Sequence, residues 1–394
     1  MSRPMLLTGA VALLSPALVR PLLRALVRLP GATGLLVRES AAGAVRRTAA
    51  IAAPVLVTVA LAATLPAGPA TLEAARTAEA RARTAAAFVV TPPSGAGFGT
   101  AALRRLGAVP GAEVSPTASD EVFVLEDGVA LIRSEARAAD PAALAATARL
   151  PLTAGRITAL DDDSIIVNKE WQRHTVGERV TVRLGDGTRR TLRIAAVMAT
   201  GTGDNGVYVT PHNAPGAPVD RVEVAVAKGA DRAAVAAGLR AAVRPVHAPV
   251  LTRDQWIRAT HPAHDRTTRL GLLLVLGIAL LYTGIGVANT MAMANADRLR
   301  DLAVLRPAGA SRGQLLRLVA LESLTVVAAG TLLSLLTAAL HLAGLAAALH
   351  LLSAPVTVRL PWTVTGCAVA ACALLAVTAA TVPAALALRR GAPR

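Results

Sequence analysis

Four long stretches of this chain contain no Asp, Glu, Lys or Arg, and they limit its fold more than any other feature. They cover residues 48–72, 270–296, 323–358 and 360–388. Each holds the roughly 20 residues a helix needs to cross a hydrocarbon core about 30 Å thick. Backbone amides in lipid find no water to bond, so such runs fold as helices that satisfy themselves. Four transmembrane helices are therefore the expected minimum. Composition agrees: 54% of the 394 residues are hydrophobic and 17% are charged, against about 25% charged in a soluble domain. A disordered chain is excluded by the same balance.

A fifth apolar run, residues 4–19, is shorter and contains Pro16. A short span, a half-span and an interfacial helix all fit it. A secretory signal does not, because basic residues follow it and no small-residue cleavage site does.

The basic residues orient the spans. Net charge is +16, with 41 Lys+Arg against 25 Asp+Glu, and only Lys169 and Lys228 are lysines. Arginines crowd three regions: Arg20, Arg24, Arg28, Arg38, Arg46 and Arg47 before the first firm span, Arg298 to Arg317 between the second and third, and Arg389, Arg390 and Arg394 in the tail. By the positive-inside rule these regions are cytoplasmic, facing anionic lipid. Residues 353–361 and the long stretch 73–269 then lie outside the cytoplasm. Aromatics make up 2% of the chain, too few for a base-stacking surface, so nucleic acid is not an expected partner.

Residues 70–268 are long enough for a domain of their own. Residues 73–84 read as a helical stalk and 87–90 as the start of a strand. Residues 164–168 form a strand, and 179–184 and 189–197 form a hairpin about Gly185-Asp186-Gly187. Further strands are expected at 207–210 and 221–227, and an amphipathic helix at 232–243. The expected class is thus a multi-pass α-helical membrane protein with an α+β extracytoplasmic domain, its strands in a small sheet or partial barrel. The expected segments are 1–28, a short membrane segment; 29–47, a cytoplasmic amphipathic segment; 48–69, a span; 70–268, the outer domain; and 269–394, three spans.

Several motifs in the outer region carry chemistry elsewhere. Gly201-Thr202-Gly203-Asp204-Asn205-Gly206 matches the dinucleotide fingerprint by letter, but that mechanism needs a helix N-terminus directly after it. Val207-Tyr208-Val209 reads instead as a strand, so the motif is a loop. Asp161-Asp162-Asp163 lacks the alternate spacing of a hard-cation loop and reads as a solvated turn. His261 and His264 flank Pro262 without a third ligand nearby and read as a linker. No Walker-type phosphate loop occurs, so no ATP hydrolysis by the chain alone, no enzyme activity, no cofactor and no metal are expected.

The cytoplasmic loop 296–317 carries the strongest pattern. The second span continues beyond the lipid, with Leu299, Leu302 and Leu305 on one stripe and Arg298, Asp301 and Arg306 off it. Pro307 and Gly309 end that helix. Ser311 and Gln314 stand at capping-box spacing for the next helix, which enters the membrane through Leu315, Leu316, Leu318 and Val319. Two readings stand on the residues alone: a docking elbow for a cytosolic partner, and a well-capped turn carrying positive-inside charge. Within the second span, Gly284, Ala288, Ala292 and Ala296 form a ladder of small residues that suits close helix packing.

This loop resembles the FtsX-like, MacB-type permeases of ABC transporters. The matching positions are Asn289-Thr290, Arg298, Arg300, Asp301, Leu302, Leu305, Arg306, Gly309, Ala310, Ser311, Gln314 and Glu322. The layout of one span, a large outer domain and three spans is similar too. So is the stretch 150–210, with Val176-Gly177-Glu178 and the Asp186-Gly187 turn. The resemblance covers about residues 35–390. Two positions depart from the family pattern: Asp301 stands where Glu is usual, and Pro307 where an apolar residue is.

The resemblance implies a coupling role for Arg298, Arg300, Asp301, Leu302, Leu305, Arg306, Gly309, Ser311, Arg312 and Gln314 against a separate ATP-binding subunit. It implies a permease subunit in the plasma membrane that exports or extracts a hydrophobic or peptide-like substrate, beside a second permease module or a second copy of itself. Two other readings stay open: a signalling relay to an envelope enzyme or sensor, and a truncated, inactive fragment. Residues 5–28 resemble the closing span of a missing first module, so a split or truncated permease is expected.

Overall fold

The computed structural model describes residues 45–93, 97–126, 130–203, 205–261, 266–305 and 311–390. The segment 1–44, and with it the short N-terminal run, lies outside the described residues. Within them the chain divides into a helical unit and a sheet unit. The helical unit takes residues up to Thr71, His264–Ala346 and Val358–Arg394; the sheet unit takes Leu72–Ala263 and Ala347–Thr357.

Four helices dominate the helical unit: α1 (Val45–Arg83), α6 (Arg266–Leu305), α7 (Arg312–Leu351) and α8 (Trp362–Arg390). All four are long and apolar enough to cross a membrane. The uncharged runs of the sequence fall on them. α1 stays helical through Pro54, Pro66 and Pro69. Proline removes one amide donor and crowds the preceding turn, a cost that neighbouring helices and hydroxyls offset in spanning segments.

Hydroxyl groups add polar contacts between α1 and its neighbours. Thr58 Oγ1 lies 2.5 Å from Thr283 Oγ1 of α6, and Thr283 Oγ1 also donates to the Pro54 carbonyl at 3.2 Å. Ser334 Oγ of α7 is 2.9 Å from the Leu56 carbonyl. Gly330 permits the close approach: a methyl group there would stand 3.2 Å from the Ala52 carbonyl oxygen, whereas one at Gly286 would make ordinary contact with Pro54 Cγ at 3.5 Å. Around these contacts Val55, Leu56 and Val59 of α1 pack on Val287, Val326, Leu333 and Ala376 from the other three helices.

The small-residue ladder of α6 needs correction. Gly284 does face a neighbour, since a methyl there would stand 3.7 Å from Leu375 of α8. Ala288, however, is exposed, and the side chain of Ala292 lies outside the described residues. The seam runs instead through Leu276, Leu280, Thr283 and Val287. A repeat of four residues slips around a helix of 3.6 residues per turn, whereas steps of three and four together keep to one side. Glu322 of α7 is buried, with 8% of its surface exposed.

The sheet unit holds ten strands: β1 (Phe88–Val90), β2 (Ala112–Glu126), β3 (Ala130–Ala139), β4 (Leu152–Gly155), β5 (Ser164–Asn168), β6 (Arg179–Arg183), β7 (Arg189–Met198), β8 (Val207–Val209), β9 (Val219–Val226) and β10 (Val250–Thr252). Their order is β10-β1-β9-β2-β3-β8-β5-β7-β4. β6 pairs with both β2 and β7, which closes β2, β3, β8, β5, β7 and β6 into a six-stranded ring. Val122, Ile165, Val182, Leu192, Ile194 and Val207 fill it.

Beyond the ring, β10, β1, β9 and the first half of β2 form a flat layer. Phe88, Val90, Val222 and Val224 pack against α2 (Thr100–Gly107) and α4 (Arg232–Val243) through Leu106, Val235 and Leu239. The two remaining helices are α3 (Pro141–Thr147) and α5 (Arg253–Thr260). The long β2–β3 hairpin was not anticipated. Its residues alternate charged and small side chains, and Ala matches neither strand propensity nor a clear apolar face.

Replacing Gly330 by Val should push α1 from α7. Overpacking of this kind costs about 1–3 kcal/mol, and a lowered melting temperature of the detergent-solubilised chain would report it.

Candidate functional site

The elbow between α6 and α7 is the first candidate. α6 runs as one helix of 40 residues to Leu305, about 60 Å at 1.5 Å per residue. That is twice the length needed to cross a bilayer core. Arg298, Arg300, Asp301, Leu302 and Leu305 therefore sit on helical backbone at its far end; their side chains, and all of Arg306, Pro307 and Gly309, lie outside the described residues.

Where description resumes, the geometry is specific. Ser311 Oγ accepts the Gln314 amide at 3.3 Å, and Gln314 Oε1 accepts the Ser311 amide at 2.9 Å. This reciprocal pair satisfies two amides that a helix start leaves open. Ser311, Arg312 and Gln314 are exposed, while Leu315 is buried. The pair thus starts α7 sharply and leaves the Arg312 guanidinium on the surface beside it.

The second candidate is a corner in the sheet unit, between β7 and β8. Glu79, near the end of α1, is buried, and its Oε2 accepts the Thr202 amide at 2.9 Å and the Thr202 hydroxyl at 2.6 Å. The neighbouring Gly201 amide donates to the Leu352 carbonyl at 2.9 Å. Asn205 braces the corner from inside, its Nδ2 donating to the Ala199 and Thr200 carbonyls at 2.5 and 3.0 Å. Gly201 has φ +62°, and a methyl there would fall 2.0 Å from Glu79 Oε1. Only glycine fits. One two-residue corner therefore holds both the end of α1 and the connection between α7 and α8. The loop reading of this glycine-rich motif stands, since β8 and no helix follows it.

The other singled-out motifs are structural. Asp161 pairs with Arg193 at 3.0 Å, and Asp162 accepts the Thr210 hydroxyl at 2.6 Å. The Ser164 hydroxyl, with Arg193 adding to it, holds the Asp161 carboxyl below its usual range. His261 lies 3.5 Å from Glu73; His264 lies outside the described residues. Among the described residues, no three His, Cys, Asp or Glu side chains cluster as a metal site would.

Comparison with known proteins matches the segment that includes the elbow. Residues 273–392, which contain most of α6, the elbow, α7 and α8, match the FtsX-like permease C-terminal family model. Ser311, Arg312 and Gln314 lie within the matched segment, as does the end of α6. No curated protein matches the chain. Among solved structures, the periplasmic region of MacB from Actinobacillus actinomycetemcomitans aligns with a TM-score of 0.33 at 11% identity. It covers 45% of this chain and 94% of that one. The extracellular domain of the noncanonic ABC-type transporter YknZ from Gram-positive bacteria aligns with a TM-score of 0.28 at 13% identity, covering 45% and 95%.

Sequence reasoning found the capping pair because its spacing is local. It missed the Glu79–Thr202–Gly201–Leu352 corner, whose members are far apart in the chain. The one available signal was Gly201 in a glycine-rich loop followed by a strand.

Removing the Thr202 hydroxyl in Thr202→Val leaves Glu79 buried with one donor fewer. An unsatisfied buried polar group costs about 1–3 kcal/mol, more when charged. Thr202→Val should melt measurably earlier than Thr202→Ser, which keeps the hydroxyl.

Proposed function

We propose that this chain is the membrane-spanning subunit of an ABC transporter, driven by a separate ATP-binding subunit that docks at the elbow. The observation that carries the proposal is the family match across α6 to α8, with the capped, exposed start of α7 within it. A long helical extension followed by a sharply started helix suits the delivery of a push. The arginines of this region place it on the cytoplasmic side by the positive-inside rule, where an ATPase would meet it. The sheet unit then lies outside the cytoplasm, and the membrane is the plasma membrane.

In this reading Arg298, Arg300, Asp301, Leu302, Leu305, Arg306, Gly309, Ser311, Arg312 and Gln314 form the docking surface. Movement of α1 and α7 reaches the outer sheet through the Gly201–Thr202 corner. ATP-driven closure of the partner would select between two arrangements of helices already available to the bundle. The exposed apolar residues of α6, among them Leu274, Ile278, Leu281 and Ile285, face lipid or a second permease module. The work done outside is export or extraction of a hydrophobic or peptide-like substrate.

The test is co-purification of an ATP-binding subunit from native membranes in mild detergent. Arg306→Ala and Gln314→Ala should each lower the amount of ATPase recovered while leaving membrane insertion unchanged. Equal recovery with both variants would remove the elbow from the docking surface. The absence of any ATPase beside a folded, inserted chain would overturn the permease reading.

A further inference from the structure

The sheet unit contains a cavity of about 370 Å³ whose lining arginines the coupling reading does not use. One side of β9 is apolar, with Val222 and Val224 packed under α2 and α4. Side chains alternate along a strand, so Arg221 and Glu223 take the opposite side. β2 pairs there in register, Thr117 with Arg221 and Ser115 with Glu223. This second side is polar and yet buried: Ser115, Thr117 and Glu223 are all under 9% exposed. Burying polar groups is unfavourable unless each finds a partner.

Two do not. The Arg221 Nε and the Ser115 hydroxyl are buried without a hydrogen-bond partner. Arg221 lines the cavity. One of its Nη atoms lies 2.9 Å from Glu223, and its guanidinium carbon lies 5.0 Å from the Trp256 ring centre. Burial pulls its pKa below the usual arginine value, with Glu223 opposing. Arg76, Arg83 and Arg137 line the same cavity, as do Glu79, Glu135 and Glu223. Glu223 pairs with Arg221, and Glu79 is held by Thr202 and Arg83. Arg137 is positioned by Thr117 and pairs with Asp220, each at 3.2 Å. The lining thus holds four arginines against three glutamates, with an open donor at the buried Arg221 Nε.

We propose that this cavity binds a phosphate-bearing anion, with Arg221 as its anchor, Arg137 as a second cation and Trp256 as an apolar wall. A planar guanidinium fork suits phosphate oxygens. The volume exceeds that of one phosphate, since a water takes about 30 Å³ in the liquid, so the ligand carries a further group. That group is either the rest of a free anion or the glycerol of a lipid headgroup. The proposal adds to the coupling reading what the outer unit engages, and it uses no residue of the elbow.

The experiment titrates inorganic pyrophosphate into the full chain in phosphatidylcholine nanodiscs, without ATPase and at constant ionic strength. Tryptophan emission and melting temperature are read together. A saturable emission change and a raised melting temperature are expected. Trp256→Phe should remove most of the emission change and keep the thermal shift. The double variant Arg221→Gln/Glu223→Gln, which strands no buried charge, should bind at least 10-fold more weakly. Arg137→Gln, at a half-buried position, should bind several-fold more weakly and covers the case in which the double variant fails to fold.

Discs containing phosphatidylglycerol separate the two sources. A headgroup in the cavity would weaken pyrophosphate binding by the wild type there, whereas a free anion would bind equally in both discs. No saturable response in either disc would overturn the proposal, as would equal binding by wild type and Arg137→Gln. Either failure would leave the ATPase co-purification result untouched.

Discussion

A peptide group in hydrocarbon must bond to its own chain, and the architecture of the helical unit follows from that constraint. Four uncharged runs become four helices, and the helices then need a reason to associate, since lipid is as apolar as they are. α1 supplies one. Hydroxyls from α6 and α7 reach its backbone and side chains through Thr283 and Ser334. Gly330 lets α7 come near enough for such a bond to form. Polar contacts and small residues, more than bulk apolarity, hold α1 between its neighbours.

The same helix carries a different chemistry at its other end. Past Thr71 its residues become charged, and Glu79 grips the Gly201–Thr202 corner of the sheet unit. A buried carboxylate with two donors is a demanding contact, because loss of either donor leaves part of its hydrogen bonding unmet, although Arg83 stands 3.9 Å from it. The Leu352 carbonyl on the Gly201 amide attaches the α7–α8 connection to the same point.

Much of this was legible in the chain because it is local. Span positions follow from charge-free runs, the start of α7 from Ser311 and Gln314, the β6–β7 hairpin from its Asp186-Gly187 turn, and α4 from its apolar spacing. The β2–β3 hairpin was not legible, since its alanines and alternating charges leave no clear face. Of the ladder Gly284, Ala288, Ala292, Gly284 faces α8 and Ala288 is exposed, because spacing alone does not tell which side of a helix meets a neighbour. The membership of residues 347–357 in the sheet unit was hidden for a similar reason: a short connection between two spans carries no mark of what it bonds to.

The sequence by itself determined that the chain has four apolar helices, a separate α+β region between the first two, and a basic, capped elbow between the second and third. Those properties depend on neighbours a few residues apart, where helix period, turn chemistry and charge act directly. Only the tertiary structure decided that β6 closes a ring between β2 and β7, that Glu79, Gly201 and Leu352 meet at one corner, and that Arg221 lines a cavity with an open donor. Each of these needs partners more than fifty residues apart. Strand pairing and buried charge are satisfied by whatever the fold brings within about 3 Å of the group in question, and that distance is set by the packing of the whole unit.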